Sequence, residues 1–183
     1  MSLVIPQLLI VAGTGRNSGK TTLVCDIIRS NCPHQRLAAI KVSPHFHDMV
    51  PDGEVLEERE DLFLMEETNR ETGKDSSRML SAGAWRVFYA MATDETVREV
   101  LGRVLRRLPE GTALICESGG LRKYVQPGLF LVMHRESQAR VKPEAEKLKQ
   151  MADRWITFDG TGIDIDPETI YFNGKTWIIK PNI

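Results

Sequence analysis

The chain has 183 residues, of which 42% are hydrophobic and 27% are charged, a balance typical of globular proteins and not of disordered ones. Its net charge of −1 gives no general attraction to nucleic acid or to an anionic membrane, so neither partner is expected. Three scattered cysteines without a Cys-x-x-Cys pair, and no apolar window near the roughly 20 residues of a membrane span, predict a cytoplasmic location.

The first predicted element is a strand at residues 8–12, LLIVA, because a short continuous apolar run suits a strand that is buried on both faces. A glycine-rich stretch follows it. Apolar residues then recur at helical spacing, which predicts an amphipathic helix ending near Ser30. LAAIKV, at residues 37–42, predicts a second strand.

The next part of the chain is an acidic segment at residues 48–72. Within it, the apolar residues of 53–69 recur at helical spacing, which predicts a helix with a solvated acidic face. A short helix ending at Gly83 and a strand at residues 85–91 are predicted to follow.

The clearest helical pattern begins at Val97 and continues to Leu108, with Thr93 as the predicted N-cap and Pro109 at the end. The elements predicted after it are strands at 112–117 and 129–134, a helix at 143–151, a strand at 155–158 and a hairpin at about 168–180. The dipeptide Asn173-Gly174 is a strong hairpin signal.

The alternation of strands and helices predicts an α/β fold with three layers. In such a fold a mainly parallel sheet is covered by helices on both faces. The C-terminal β-hairpin is an antiparallel addition to it. No repeat or linker divides residues 1–183, so one domain is expected.

Residues 13–22, GTGRNSGKTT, lie between the first predicted strand and the first predicted helix. The phosphate loop (P-loop) of nucleotide-binding proteins has the pattern G-x-x-x-x-G-K-[ST]. Its amides and its lysine hold phosphates, and its hydroxyl binds Mg²⁺. Gly19, Lys20 and Thr21 match the last three positions, and the strand–loop–helix context is also present.

The first position of the motif departs from the pattern, since Thr14 stands where glycine is expected, between Gly13 and Gly15. Those two glycines still permit positive φ and close approach of the backbone to a ligand. A dinucleotide-binding G-x-G-x-x-G pattern starting at Gly13 fails at Ser18, and the second strand lacks the expected acid. An ordinary glycine-rich turn is the other alternative, and the phosphate loop is the favoured interpretation.

Further segments resemble the MobB-type adapters of molybdopterin-guanine dinucleotide biosynthesis, a P-loop NTPase class that also includes dethiobiotin synthetases. The GT-x4-GKT loop is similar to that of the synthetases, and GKDSSRMLSAGA, at 73–84, is similar to a GKDS…AGA segment of the adapters. AAIKVSPHFHD, LICESGG and LFLVMHRES stand at the places of three further family segments. The likeness covers residues 8–136, and the C-terminal hairpin lies outside it.

The resemblance implies a Mg²⁺-dependent GTP-binding adapter that hydrolyses GTP slowly if at all. Such a protein works with a nucleotidyltransferase in molybdenum-cofactor biosynthesis, and the related families pair as dimers, so a homodimer is expected. Two alternatives stay open. One is an ATP-dependent synthetase resembling dethiobiotin synthetase, in which phosphoryl transfer activates a carboxylate. The other is a nucleotide-sensing regulator without catalysis.

The predicted nucleotide-binding residues are Gly15, Arg16, Asn17, Ser18, Gly19, Lys20, Thr21 and Thr22. Thr21 is the first expected Mg²⁺ ligand, because Mg²⁺ prefers oxygen donors. Glu117 ends a predicted strand at the sheet edge where open α/β folds bind ligands. The resemblance implies Asp75 and Glu117 as acidic partners of the cation, although Asp75 could instead cap the helix that follows it. Lys20 and Glu117 are the predicted catalytic residues.

Four further residues are predicted to contact a second substrate or a partner, namely Lys41, His45, His47 and Asp48. Lys41 ends the second predicted strand, and the other three follow in a loop. A metal site there would need a third or fourth ligand, and the sequence does not identify one.

Overall fold

The computed structural model describes residues 3–15, 17–137 and 143–181, without the side chains of residues 143–145. Its strands are β1 (Leu3–Gly13), β2 (Leu37–Ser43), β3 (Gly53–Arg59), β4 (Leu62–Glu67), β5 (Arg86–Ala92), β6 (Ala113–Glu117), β7 (Val125–Arg135), β8 (Arg154–Phe158), β9 (Ile170–Phe172) and β10 (Trp177–Ile179). Its α-helices are α1 (Lys20–Asn31), α2 (Asp75–Ser81), α3 (Val97–Leu105) and α4 (Pro143–Met151). The predicted mixed α/β architecture with a mainly parallel sheet is confirmed.

The large sheet has eight strands in the order β3-β4-β5-β2-β6-β1-β7-β8. From β5 to β8 all neighbouring strands are parallel, whereas β4 runs antiparallel to both β5 and β3. β1 therefore lies between β6 and β7, inside the parallel part of the sheet. Its carboxyl end leads directly into the glycine-rich loop, residues 13–19.

The core lies on both faces of this sheet, because successive residues of a strand point to opposite sides. In β1, Leu8 and Ile10 join one buried cluster, which includes apolar residues of α3. Leu9 and Val11 join the opposite cluster, which contains apolar residues of α1 and α2. The continuous apolar run at 8–12 thus reflects burial on two faces, as the sequence predicted.

The helix predicted at residues 53–69 is wrong. This segment forms the antiparallel pair β3 and β4, joined by a turn at residues 60–61. The four consecutive residues Leu62 to Met65 are all buried, as expected of an inner strand, whereas no residue of the edge strand β3 is buried. The apolar residues of the two strands happened to fall at helical spacing, which periodicity alone could not resolve.

The start of α3 also differs from the prediction. The N-cap is Thr96 instead of Thr93, and the helix begins at Val97. The Val97 amide donates to the Thr93 carbonyl at 3.0 Å, and the Thr93 amide donates to Thr96 Oγ1 at 3.0 Å. Residues 93–96 therefore form a hydrogen-bonded turn before the helix, a feature that the apolar spacing does not report.

The predicted C-terminal hairpin is confirmed as the two-stranded sheet of β9 and β10. In its turn, Asn173 Oδ1 accepts hydrogen bonds from the amides of Lys175 and Thr176. The hairpin is held to the large sheet by Trp177, whose indole N–H donates to the Gln7 carbonyl at 2.9 Å. Asn31, at the end of α1, also bonds the backbone of β9.

Candidate functional site

The carboxyl edge of the parallel strands gathers the polar residues that the sequence singled out. β2, β6 and β1 are neighbours, and their register aligns Lys41 with Glu117 and Glu117 with Val11. Two residues beyond Val11, β1 ends at Gly13 and the glycine-rich loop begins. The sheet itself therefore places Lys41, Glu117 and the loop side by side.

Among the described residues of the glycine-rich loop, Asn17 and Gly19 have positive φ, at 54° and 83°. At Gly13 the restriction is space, because a Cβ there would lie 2.5 Å from Ser18 Oγ and 2.7 Å from Lys20 Cδ. A side chain at position 13 would therefore have to displace Ser18 Oγ and the end of the Lys20 side chain, which favours glycine there.

Thr14, the departure from the phosphate-loop pattern, is buried and held by β7. Its amide donates to the Met133 carbonyl at 2.9 Å, and its Oγ1 is hydrogen-bonded to His134 Nδ1 at 3.2 Å. The crowded position is therefore Gly13, and position 14 accommodates a threonine that anchors the loop to β7.

The helix α1 begins at Lys20, directly after Gly19. The Leu23 amide donates to the Gly19 carbonyl at 3.0 Å, which is the first bond of the helical ladder. The amides of Lys20, Thr21 and Thr22 come earlier in the chain than Leu23. Because α1 begins at Lys20, no carbonyl within the helix is available to accept from them. They add the positive end of the helix to the site.

The Lys20 side chain folds over the loop. Its ammonium donates to the Gly15 carbonyl at 2.8 Å and to Ser18 Oγ at 3.2 Å. Burial lowers the pKa of Lys20, and the positive charge of Lys41 lowers it further, while the negative charge of Glu117 opposes both. A polyanion beside Lys20 would remove this penalty by compensating the buried charge.

Glu117 is the central acid of the site and is only 2% exposed. The Thr21 hydroxyl donates to Glu117 Oε2 at 2.8 Å, and the Lys41 ammonium donates to Glu117 Oε1. Lys41 also forms an ion pair with Asp75 Oδ2 at 3.0 Å. Burial opposes the charge of Lys41, but the two carboxylates outweigh it and raise the pKa of Lys41.

Asp75 does not cap α2, so that alternative is wrong. The N-cap residue is Lys74, and it makes no side-chain capping bond. Asp75 instead lies in the first turn of α2, where it pairs with Lys41 and with Arg78 at 3.7 Å. Its carboxylate is therefore directed to the same cluster as Glu117.

These residues line a cleft of about 450 Å³. The residues that surround it are Asn17, Ser18, Gly19, Lys20, Thr21, Thr22, Lys41, Asp75, Arg78, Glu117 and Phe158. Arg78 and Phe158 were not predicted from the sequence. Arg78 follows Asp75 by one helical turn and donates to Thr22 Oγ1 at 3.3 Å, a relation that helical spacing from Asp75 could have suggested. Phe158 comes from β8 and carries no comparable signal.

The donor set suits Mg²⁺, which takes a few protein oxygens together with phosphate oxygens and water. The Thr21 hydroxyl and the Glu117 carboxylate are in contact, and Asp75 is joined to Glu117 through Lys41. Among the described residues, no group of three or more His, Cys, Asp or Glu side chains could hold a metal by itself. A cation here would therefore depend on oxygens that arrive with a ligand.

Four other predicted residues, Gly15, His45, His47 and Asp48, do not line the cleft. His45, His47 and Asp48 are exposed in the loop after β2. His47 lines a second cavity of about 310 Å³, which shares Lys41 and Asp75 with the cleft and also contains Tyr89. Arg16 lies outside the described residues.

No protein-family model matches the chain, and no curated protein or solved structure matches it significantly. Within the described ranges, no helix is long and apolar enough to cross a bilayer. Cys25, Cys32 and Cys116 are free thiols.

Proposed function

We propose that this chain is a Mg²⁺-dependent P-loop protein that binds a nucleoside triphosphate in the cleft around Lys20. The observation that carries the proposal is the contact between Thr21 and Glu117 at 2.8 Å, next to the half-buried Lys20 and the amino end of α1. This combination offers amide donors and a cation to phosphates, together with oxygen ligands for a metal.

The residues have separate roles in this proposal. Lys20 and the amides of α1 bind phosphate oxygens, and Thr21 and Glu117 hold the cation, with Asp75 as a further acidic partner. A bound Mg²⁺ would neutralise and orient the phosphates. Arg78, which reaches the cleft from α2, adds positive charge on the side of Thr22. Lys41 keeps the two carboxylates together and fixes their orientation.

The finer proposal is a GTP-binding adapter similar to the MobB-type family, acting as a homodimer beside a nucleotidyltransferase of molybdenum-cofactor biosynthesis. It is supported by the resemblance of the loop and of residues 73–84, which contain the whole of α2 and include Asp75 of the cleft. The cytoplasm is the proposed compartment.

The test is a thermal-shift series with GTP and ATP, each with and without Mg²⁺. At a nucleotide concentration of about 100 times Kd, binding adds roughly 2.7 kcal/mol of stability, which raises Tm by several degrees for a chain of this size. We expect GTP to give the larger shift and Lys20→Ala to abolish it. Lys123→Ala is the matched control, because Lys123 is an exposed lysine outside the cleft that pairs with Asp94. An unchanged shift in Lys20→Ala would contradict the proposal.

One observation favours the ATP-dependent synthetase as a second candidate function. The cavity that contains His47 and Tyr89 adjoins the cleft at Lys41 and Asp75, where a small acceptor molecule could lie beside the terminal phosphate. A larger thermal shift with ATP than with GTP would support the synthetase over the adapter.

A further inference from the structure

A third cavity, of about 320 Å³, adjoins the cleft around Lys20. It is lined by Gly19, Thr22, Leu23, Asp26, Phe158, Gly160, Thr161, Gly162 and Ile163. Three of these residues, Gly19, Thr22 and Phe158, also line the cleft. The two spaces are therefore adjacent, and their common wall is the start of α1 together with the Phe158 side chain.

The strand order gives this cavity a definite position relative to the predicted phosphates. Lys41 and Glu117 lie on β2 and β6, on one side of β1, whereas Phe158 ends β8 on the other side. The lysine and hydroxyl of a phosphate loop face the β- and γ-phosphates and the metal. If the terminal phosphates lie toward Glu117, the nucleoside leaves the cleft toward Phe158.

One wall of the cavity is formed by the hydrogen-bonded turn at residues 158–163, which begins at Phe158. Phe158 and Ile163 form an antiparallel bridge, and the Asp159 amide donates to the Gly162 carbonyl at 3.2 Å. Asp159 Oδ1 accepts from the amides of Thr161 and Gly162 at 2.7 and 2.8 Å. A Cβ added at Gly160 or Gly162 would meet no atom within 4 Å, so this wall borders open space.

The wall formed by α1 carries a carboxylate, that of Asp26. Asp26 follows Thr22 by four residues on α1, so both lie on the same helix face. Arg29 pairs with Asp26 Oδ1 at 2.6 Å, and both side chains are partly exposed. An ionised carboxylate has two oxygens and about four acceptor positions, so its capacity to accept exceeds this single ion pair.

We propose that this cavity is the nucleobase site and that Asp26 makes it selective for guanine. The inference rests on the proposed function, which already names GTP, and adds the place of the base and the residue that would select it. A planar base would stack on the Phe158 ring, as bases do on aromatic side chains. Guanine presents N1–H and an exocyclic N2 amino group, both donors, on its Watson–Crick edge. A carboxylate accepts from both, whereas adenine places an acceptor at N1 and is repelled.

The test measures dissociation constants by calorimetry for GTP, ITP, XTP and ATP, each with Mg²⁺ and the full chain. Wild type should bind GTP about tenfold more tightly than ATP, in line with a bidentate contact to a base edge, and ITP, which lacks the amino group, should be intermediate. Asp26→Asn should lose about tenfold for GTP and gain affinity for XTP, because an amide donates to the xanthine O2 and accepts from N1–H.

Arg29→Gln is the matched control, since it removes the same Asp26–Arg29 ion pair but keeps the carboxylate. Its base preference should equal that of wild type. Equal affinity of wild type for GTP and ATP, an unchanged preference in Asp26→Asn, or the same change in Arg29→Gln would each overturn the assignment of Asp26. Each of these results is compatible with binding of the triphosphate in the cleft. Failure of all four nucleotides to bind would instead contradict the proposed function itself.

Discussion

Two groups of charged side chains lie in different parts of the molecule and differ in their exposure to water. The buried charge cluster consists of Lys41 and Glu117 at the carboxyl edge of the sheet, with the more exposed Asp75 at its rim. The exposed charge cluster joins β3 to α3 and consists of Glu57, Arg59, Asp61, Glu99 and Arg103. Both clusters show short ion pairs, so distance alone does not distinguish them.

Exposure of the central acid does distinguish the two clusters. Glu117 is 2% exposed, whereas Glu99 is 36% exposed. At the edges the two clusters are more alike, since Asp75 is 40% exposed and Glu57 is 18% exposed. Exposed ion pairs contribute little to stability because water screens them and ordering long side chains costs entropy. Burying a carboxylate is costly unless a partner compensates it. A fold that retains such a carboxylate beside Lys20 and Thr21 bears this cost at the proposed site, as functional sites often do.

The largest effect on folding is expected for Lys41→Met, which keeps the bulk of the side chain but leaves Glu117 with Thr21 as its remaining described partner. Because an unpaired buried charge is strongly unfavourable, we expect a loss of about 3 kcal/mol in the free energy of unfolding. Urea denaturation at low and high salt measures it, and the loss should persist at about 0.5 M NaCl because buried charges are poorly screened. A loss below about 0.5 kcal/mol, the usual range of surface substitutions, would show that water reaches the cluster.

A somewhat smaller loss is expected for Glu117→Gln, because Lys41 keeps Asp75 as a partner and the amide still accepts from Thr21. We expect about 2 kcal/mol, below the range for a fully orphaned buried charge. The double variant with Lys41→Met should lose less than the sum of the single variants, since neither residue leaves the other charged and unpaired. Additive losses in the urea experiment would show that the two residues act independently.

The strands that carry the two clusters differ in how well the sequence predicted them. The strands β1, β2 and β6 were predicted because each is a short apolar run, and the parallel arrangement of their ends brought Glu117 near Thr21. The hairpin β3–β4 was predicted as a helix, because the apolar residues of two short strands fell at helical spacing. The place of β4 next to β5, and its antiparallel direction, became known only from the structure.

Within the candidate site, residues of the loop carried a local motif, whereas three others did not. Phe158, Arg78 and Asp26 reach the cleft or the adjoining cavity from β8, α2 and α1. Helical spacing from Asp75 and from Thr22 could have suggested Arg78 and Asp26. The role of Phe158 depends on a tertiary contact between segments distant in sequence, which neither periodicity nor spacing encodes. Thr14 is a similar case, because its anchor on β7 is 119 residues away from it in the chain, at Met133.

The smallest effect is expected in the exposed charge cluster, and it should depend on pH. Hydrogen bonds from Arg59 and Arg103 lower the pKa of Glu99 from 4.5 to about 2. An acid whose pKa is depressed in the folded state stabilises that state above its unfolded pKa, and the contribution disappears as pH falls through the folded value. Wild type should therefore be slightly more stable than Glu99→Gln at neutral pH, and the difference should vanish between about pH 4.5 and 2.

Measurements of stability against pH and against salt concentration test whether the two clusters differ because of their exposure to water. Urea denaturation of wild type and Glu99→Gln at several pH values gives the stability difference, and a parallel series at high salt reports screening. The difference for Glu99→Gln should shrink with added salt, because Glu99 and its arginine partners face water. If it instead persisted in high salt, as expected for Lys41→Met, exposure would not be what sets the two clusters apart. The cost of burial would then no longer single out Glu117 as a residue retained for binding.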